Sequence, residues 1–179
     1  MSIEVEIRSF ITEKQYSNLL SKFSREGTVL ESDTQETVYF KGEQDFRIQR
    51  GERSAKFVLK GGKIHDEARE EIEVTVQPSD FPTLKRMVSL LGYEPDIIWH
   101  RNRTQFEWQG ISVSLDITRG YGRILELERI VETPTEATRA QAELEHVLAE
   151  IGIPRTPRSE FEKAFQNYQT HWRELMSGL

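Results

Sequence analysis

The 179-residue chain has no cysteine, which excludes disulfides, thiolate nucleophiles and zinc sites built on thiolates. Its four histidines, His65, His100, His146 and His171, are scattered, with no spacing that resembles a metal motif. No stretch is apolar for long enough to cross a membrane or to form the core of a signal peptide, so a cytoplasmic protein is expected. Positive charge is not in excess either. Against 30 Asp and Glu stand 24 Lys and Arg, a net −6, so neither nucleic acid nor an anionic membrane is an expected partner. The short "GGK" at 61–63 lacks the length and the following Ser or Thr of a phosphate-binding P-loop and reads as a turn. With this acidic balance, Trp99, Trp108 and Trp172 read as packing residues rather than a base-stacking platform.

What is present is an ionic chain, 30% charged, with 36% hydrophobic residues available for a core. No linker, repeat or break in composition divides it, so residues 1–179 are read as a single domain. Strands are expected at about 2–10, then in "TVLESDTQETVYF", "DFRIQR", "AKFVLKG", "EAREEIEVTV", "IIWHRNRTQFEW", "ISVSLDI" and "RILELERIV". A helix opened by Thr12 carries Tyr16, Leu19, Leu20 and Phe23 at helical spacing. A second, "SDFPTLKRMVSLLGY", has Ser79 or Asp80 as its expected N-cap and Gly92 at its end. Two more run near 135–151 and 158–176. The fold class is α+β, with an antiparallel sheet that is either open or a barrel.

Alternation decides more than strand counting. In "SIEVEIRSF", Ile3, Val5 and Ile7 share one face, and Glu4, Glu6 and Arg8 share the other. Nearly every strand repeats this. Arg47 and Gln49 oppose Phe46 and Ile48; Lys56 and Lys60 oppose Phe57 and Leu59; Arg69, Glu71 and Glu73 oppose Ile72 and Val74. Arg101 and Arg103 share a face with Gln105 and Glu107, Asp116 lies opposite Leu115 and Ile117, and Glu126 and Glu128 oppose Leu125 and Leu127. One such row is the ordinary signature of a half-exposed strand. Here the signs are sorted: acids dominate the first and last strands and Asp116, while Arg and Lys dominate the middle. If the sheet closes with its first strand beside its last, carboxylates line one wall and cations face them. That arrangement suits a polyanion delivered with a hard divalent cation, because oxygen ligands select Mg²⁺ or Mn²⁺ and Arg and Lys bind phosphate oxygens.

Seven segments, in order, resemble the CYTH superfamily, the triphosphate tunnel metalloenzymes, which includes class IV adenylyl cyclases and thiamine and inorganic triphosphatases. "EVEIR" resembles its E-x-E-x-K signature, "FRIQR" its L-R-x-R, "FVLKG" its strand ending in Lys-Gly, and "REEIEVTV" its R-x-E-x-E strand. "RNR" stands at the K-x-R position, "LDITRGYGRILELE" resembles the D-x(3)-G-L-G-x-F-x-E-x-E segment, and "PRSEF" resembles the final R-S-Y stretch. The resemblance implies an eight-stranded antiparallel β-barrel forming a tunnel, with helices packed outside. It implies metal-binding carboxylates at Glu4, Glu6, Asp116, Glu126 and Glu128, with two metals compatible with the likeness. Phosphates would be held by Arg8, Arg47, Lys60, Arg101 and Arg103, with Arg8 and Lys60 closest to the chemistry. Lys56, Arg50 and Arg69 would have supporting roles, Glu71 and Glu73 would orient cations, and Arg158 would close over the tunnel mouth. Three positions depart from the pattern: Arg8 replaces a Lys, Gln49 an Arg and Glu160 a Tyr.

The expected activity is metal-dependent hydrolysis of an inorganic, organic or nucleoside triphosphate. A cyclase-like conversion of ATP to cAMP and pyrophosphate is the alternative, and a non-catalytic module holding polyphosphate or nucleotide is a third reading. A homodimer is left open.

Overall fold

The computed structural model describes residues 3–61 and 68–177, with residues 68 and 69 described by backbone alone. His65, most of the "GGK" segment and the side chain of Arg69 lie outside the described residues. The alternating segments form eight strands: β1 (Ile3–Ile11), β2 (Thr28–Phe40), β3 (Asp45–Arg50), β4 (Ala55–Lys60), β5 (Ala68–Val76), β6 (Pro95–Trp108), β7 (Ile111–Thr118) and β8 (Gly122–Val131). They close into one antiparallel barrel in the order β1-β5-β4-β3-β2-β6-β7-β8. The seam is the pairing of first and last strands, from Ile3 opposite Val131 to Ile11 opposite Arg123. Closure removes the exposed edges that an open sheet would have to protect.

Four helices lie outside: α1 (Glu13–Glu26), α2 (Phe81–Leu90), α3 (Pro134–Glu150) and α4 (Arg158–Met176). Thr12 starts α1 with a reciprocal capping box to Gln15, and Thr133 starts α3 with one to Glu136. At α2 the expected N-cap is only partly realised. Asp80 holds the position, but a 3-10 turn over 78–80 already gives it helical dihedrals, and its side chain makes no capping bond. Gly92 ends that helix at φ +89°, a conformation that suits glycine, with the Tyr93 N–H returning to the Val88 carbonyl at 3.2 Å.

The apolar cores sit outside the barrel wall. Val5, Ile7, Phe106, Val113, Leu125 and Leu127 from the strands pack on Leu19 and Phe23 of α1 and on Ala140, Leu144 and Leu148 of α3. A second cluster joins Val38, Phe40 and Ile48 to Phe81, Leu84 and Val88 of α2. The alternation is therefore inverted relative to an ordinary small barrel, with oil outside and charge inside. The outer face of β5 is an exception. Ile72 and Val74, read as the apolar side of that strand, are 55% and 56% exposed.

The last helix crosses one end of the barrel. Phe161 stacks on Phe10 at 4.4 Å, Trp99 packs between Tyr121 and Tyr168, and Tyr168 is fully buried. The Tyr168 hydroxyl donates to the Ile98 carbonyl at 2.9 Å, tying α4 to β6. Burial pushes the Tyr168 phenol up to about 12, so it remains a donor at any physiological pH. Tyr168→Phe is expected to cost about 0.5–1.5 kcal/mol, because the carbonyl partner is left unsatisfied. Chemical denaturation checks this, and an unchanged midpoint would mean that the bond contributes nothing.

Candidate active site

Strand register places the charged rows around a cavity of about 280 Å³ inside the barrel. Glu6 on β1 lies directly across from Glu128 on β8, and Arg8 across from Glu126. Further round the ring, Arg103 of β6 is paired with Asp116 of β7, and Arg47 of β3 with Tyr39 of β2. Every carboxylate and cation read from the sequence as a site residue lines this cavity except Arg158.

The five carboxylates divide into two groups. Oxygens of Glu4, Glu6 and Glu128 lie within 4.8 Å of one another. Burial, together with the charges of Glu4 and Glu6, pushes the Glu128 carboxyl up to about 8. Burial and Glu6 also raise Glu4, although Lys60 partly offsets them. Lys60 on Glu4 and Arg8 on Glu6 offset only part of the mutual repulsion among these carboxyls. Oxygen-only donors in that condition fit a hard divalent cation.

Asp116 and Glu126, expected beside those three, are held elsewhere. Arg103 forks onto Asp116, Nε to Oδ1 at 2.8 Å and Nη2 to Oδ2 at 2.6 Å, and its Nη2 also reaches Glu126. Burial works against the Arg103 charge, but Asp116 and Glu126 outweigh it and raise its pKa well above the usual value. Register is the cause: Asp116 faces an arginine across the β6–β7 ladder, whereas Glu6 faces another glutamate across the seam. Arg101 is held by Gln35 at 2.8 Å and by Asp116 at 3.3 Å. Burial and neighbouring Arg103 lower its pKa.

Lys60 bonds Glu4 and lies 2.7 Å from Glu71. Burial and Arg47 oppose its charge, yet Glu6, Glu4 and Glu71 outweigh them and its pKa is raised. Arg8 pairs with Glu6 at 3.0 Å and lies over the Phe161 ring. Arg47 donates to the Tyr39 hydroxyl at 2.8 Å and to Asp45 at 3.0 Å, while its Nε is buried with no hydrogen-bond partner among the described residues. The Trp99 indole Nε1, in the same cavity wall, is likewise buried without a partner. Two unpartnered donors on residues that line one cavity are compatible with an acceptor-rich ligand there.

Arg158 sits at the start of α4, half exposed, and its Nε donates along the helix to Glu162 at 2.8 Å. It does not line the cavity; the residue of α4 that does is Phe165, near one end of the ring. Arg50 also points outward, to Glu36 and over Phe81, because β3 pairs with β2 without a bulge. Lys56 lines the cavity and pairs with Glu73.

Several lining residues escape a sequence reading: Glu31, Asp33, Gln35 and Tyr39 of β2, and Tyr121 beyond β7. Asp33 is fixed by the turn after β3, accepting from the Glu52 N–H at 2.8 Å and from Gln35 at 3.2 Å. Alternation over "ESDTQETVY" was the available signal, but its first half is polar on both faces, so inside and outside cannot be told apart there.

A CYTH domain model matches residues 2–159. A Methanocaldococcus jannaschii protein named "putative adenylate cyclase" is 29% identical over 162 residues, covering 84% of this chain and 90% of that protein. Among solved structures, a Pyrococcus horikoshii OT3 protein superposes with a TM-score of 0.75 at 23% identity, over 92% of this chain and 99% of the other. A Vibrio parahaemolyticus protein described as a "putative adenylate cyclase" superposes with a TM-score of 0.74 at 14% identity, over 92% and 98%. These structural likenesses show a shared fold, and with the match over nearly the whole length they lead to one conclusion: the chain belongs to the CYTH domain family.

Proposed function

We propose that the protein is a divalent-metal-dependent enzyme that hydrolyses a triphosphate bound inside the barrel. One observation carries the reading: a single cavity holds Arg8, Arg47, Lys60, Arg101 and Arg103 on its walls together with the Glu4–Glu6–Glu128 cluster. No ordinary barrel core would tolerate that much buried charge, and a polyphosphate with a cation complements both halves of it.

Glu4, Glu6 and Glu128 would hold Mg²⁺ or Mn²⁺. The ion would neutralise phosphate charge and make the attacking water more acidic. The cations bind non-bridging phosphate oxygens, and a phosphate there would offer acceptors to the Arg47 Nε and the Trp99 Nε1, which otherwise have none. Water attacks the terminal phosphorus and its proton passes to the departing diphosphate, as the bridging P–O bond breaks and leaves its electron pair on that diphosphate. Charge builds on the transferring group's oxygens, where guanidinium and ammonium groups fixed in advance stabilise it. Lys60 has a raised pKa, as has Arg8, so both serve as charged donors rather than as general bases. Arg103 supports the site by orienting Asp116 and Glu126 while presenting its charge to the cavity.

Cyclisation is the second reading, favoured by the name of the Methanocaldococcus jannaschii relative. There a ribose 3′-hydroxyl would attack the α-phosphorus and pyrophosphate would leave. Incubation with inorganic tripolyphosphate and a nucleoside triphosphate panel, with Mg²⁺ or Mn²⁺, is expected to release inorganic phosphate and to stop in excess chelator. Pyrophosphate with cAMP would establish the cyclase instead. Full activity in excess chelator would remove the metal from the mechanism, and binding without turnover would leave a holding module.

A further inference from the structure

Nine carboxylates and six cations line the barrel cavity, so the space as a whole does not draw in an anion. A phosphate chain must find positive charge that the protein has not already neutralised. Arg8, Arg47, Lys56, Lys60 and Arg103 each have a carboxylate oxygen within 3.0 Å. Arg101 is held differently. Its nearest carboxylate oxygen among the described residues is Asp116 Oδ2 at 3.3 Å, which Arg103 already engages at 2.6 Å.

Neutral groups take the place of a carboxylate. The Gln35 side-chain oxygen accepts from Arg101 Nε at 2.8 Å. The Gln49 oxygen accepts from Arg101 Nη2 at 3.4 Å and from the Thr37 hydroxyl at 3.4 Å. Asp33 decides which way the Gln35 amide faces. A carboxylate only accepts, so the Gln35 Nε2 turns to Asp33 Oδ2 at 3.2 Å and leaves its oxygen for Arg101. Asp33 is itself fixed by the Glu52 N–H at 2.8 Å, in a turn where a Cβ on Gly51 would fall 1.9 Å from Asp33 Oδ2.

We infer that Gln35 and Gln49 are positioning residues that hold Arg101 in place without cancelling its charge, which makes Arg101 the anchor of the phosphate chain. The inference rests on the triphosphate reading of the barrel and gives a role to residues that reading leaves without one. A cation already paired with a carboxylate exchanges one anion for another when phosphate arrives. One held by amides keeps those bonds and adds a charge-assisted one. Burial and Arg103 both disfavour the Arg101 charge, so an incoming anion offsets a larger penalty there. Gln49 is also a departure from the family pattern, and an arginine in its place would repel Arg101 rather than hold it.

Equilibrium binding of inorganic tripolyphosphate to the protein in Mg²⁺, with ligand-free melting temperatures alongside, tests this. Gln49→Glu keeps an acceptor beside Arg101 but adds a charge, so tripolyphosphate is expected to bind roughly tenfold more weakly. The ligand-free melting temperature should not fall, because the new carboxylate faces Arg101 and Lys56, which lies opposite position 49 on β4. Affinity lost only in step with melting temperature would mark the glutamines as merely structural and overturn the inference. Gln35→Leu is the second variant. It is expected to weaken tripolyphosphate severalfold in the wild-type background, but by less than about twofold beside Arg101→Ala, because its effect runs through Arg101. Equal losses in the two backgrounds would overturn that role. Wild-type affinity in both Gln49→Glu and Gln35→Leu would overturn the anchor and leave the triphosphate reading standing. If the wild-type protein itself binds no tripolyphosphate, that reading falls and this assignment with it.

Discussion

Glu128→Gln is expected to raise the melting temperature of the metal-free protein at pH 8, to remove most of its stabilisation by Mg²⁺ or Mn²⁺, and to abolish turnover. Burial and the charges of Glu4 and Glu6 push the Glu128 carboxyl up to about 8, against 4.5 for the free group. Because the folded state binds this proton more tightly than the unfolded chain, its contribution is fully present below about pH 4.5 and is lost as pH rises through 8. Glu4 is shifted in the same direction, and the raised Lys60 loses its proton only at still higher pH. Glu71 is lowered, so its contribution changes in the opposite sense, but on the acid side of the window. The metal-free wild type should therefore become less stable between pH 5 and pH 8. A glutamine cannot ionise, and the variant's profile should be flatter. With roughly 2–4 °C per kcal/mol for a chain of this size, the gap at pH 8 is expected to exceed about 4 °C. A cation that binds only the folded form adds stability in proportion to the logarithm of its concentration, and it must displace the Glu128 proton to do so. Calorimetry in buffers of different ionisation enthalpy should accordingly register about one proton released per metal bound at pH 7. An exposed glutamate would give a change within about 0.5 kcal/mol and no proton release, and that result would return this row to the surface.

The eight strands were legible because a charged row alternates with an apolar one almost everywhere, as in "SIEVEIRSF" and "RILELERIV". Closure was legible only as a condition: acids concentrated on the first and last strands fit a sheet whose ends meet, as they do here, and the barrel itself was implied by the resemblance. The partition of the carboxylates was not legible. Whether a carboxylate meets another carboxylate or an arginine depends on register between strands far apart in sequence. Glu6 faces Glu128 across 122 positions (128 − 6) and Asp116 faces Arg103 across 13 (116 − 103), and nothing in either strand alone fixes that pairing. The role of α4 was hidden for a different reason. Phe161, Phe165 and Tyr168 follow an ordinary amphipathic spacing, so the helix reads the same whether it covers a core or the end of a charged barrel. Arg158, placed over the mouth by resemblance, turns along its own helix because Glu162 lies one turn away.

The division of the carboxylates makes Arg103 and Asp116 a structural pair as well as part of the phosphate site. Arg103→Ala is expected to destabilise the protein by about 3–5 kcal/mol, the cost of leaving a buried charge without its partner. Asp116, only 1% exposed, would keep Arg101 at 3.3 Å but lose both bonds of the fork. The melting temperature should fall by on the order of 10 °C, and turnover should be lost with the phosphate contact. Removing Asp116 as well should recover part of this stability, since the cycle Arg103→Ala, Asp116→Ala and the double variant isolates the coupling between them. Asp116→Asn separates the two roles proposed for that carboxylate. As the anchor of Arg103, it should leave the metal-induced rise in melting temperature largely intact while lowering stability and turnover. As a metal ligand, the role implied by resemblance, its loss should suppress the metal response as strongly as Glu128→Gln does. The geometry favours the anchor, because both carboxylate oxygens are already engaged by Arg103. A metal titration of Asp116→Asn that shows no rise in melting temperature would place Asp116 with Glu4, Glu6 and Glu128 after all.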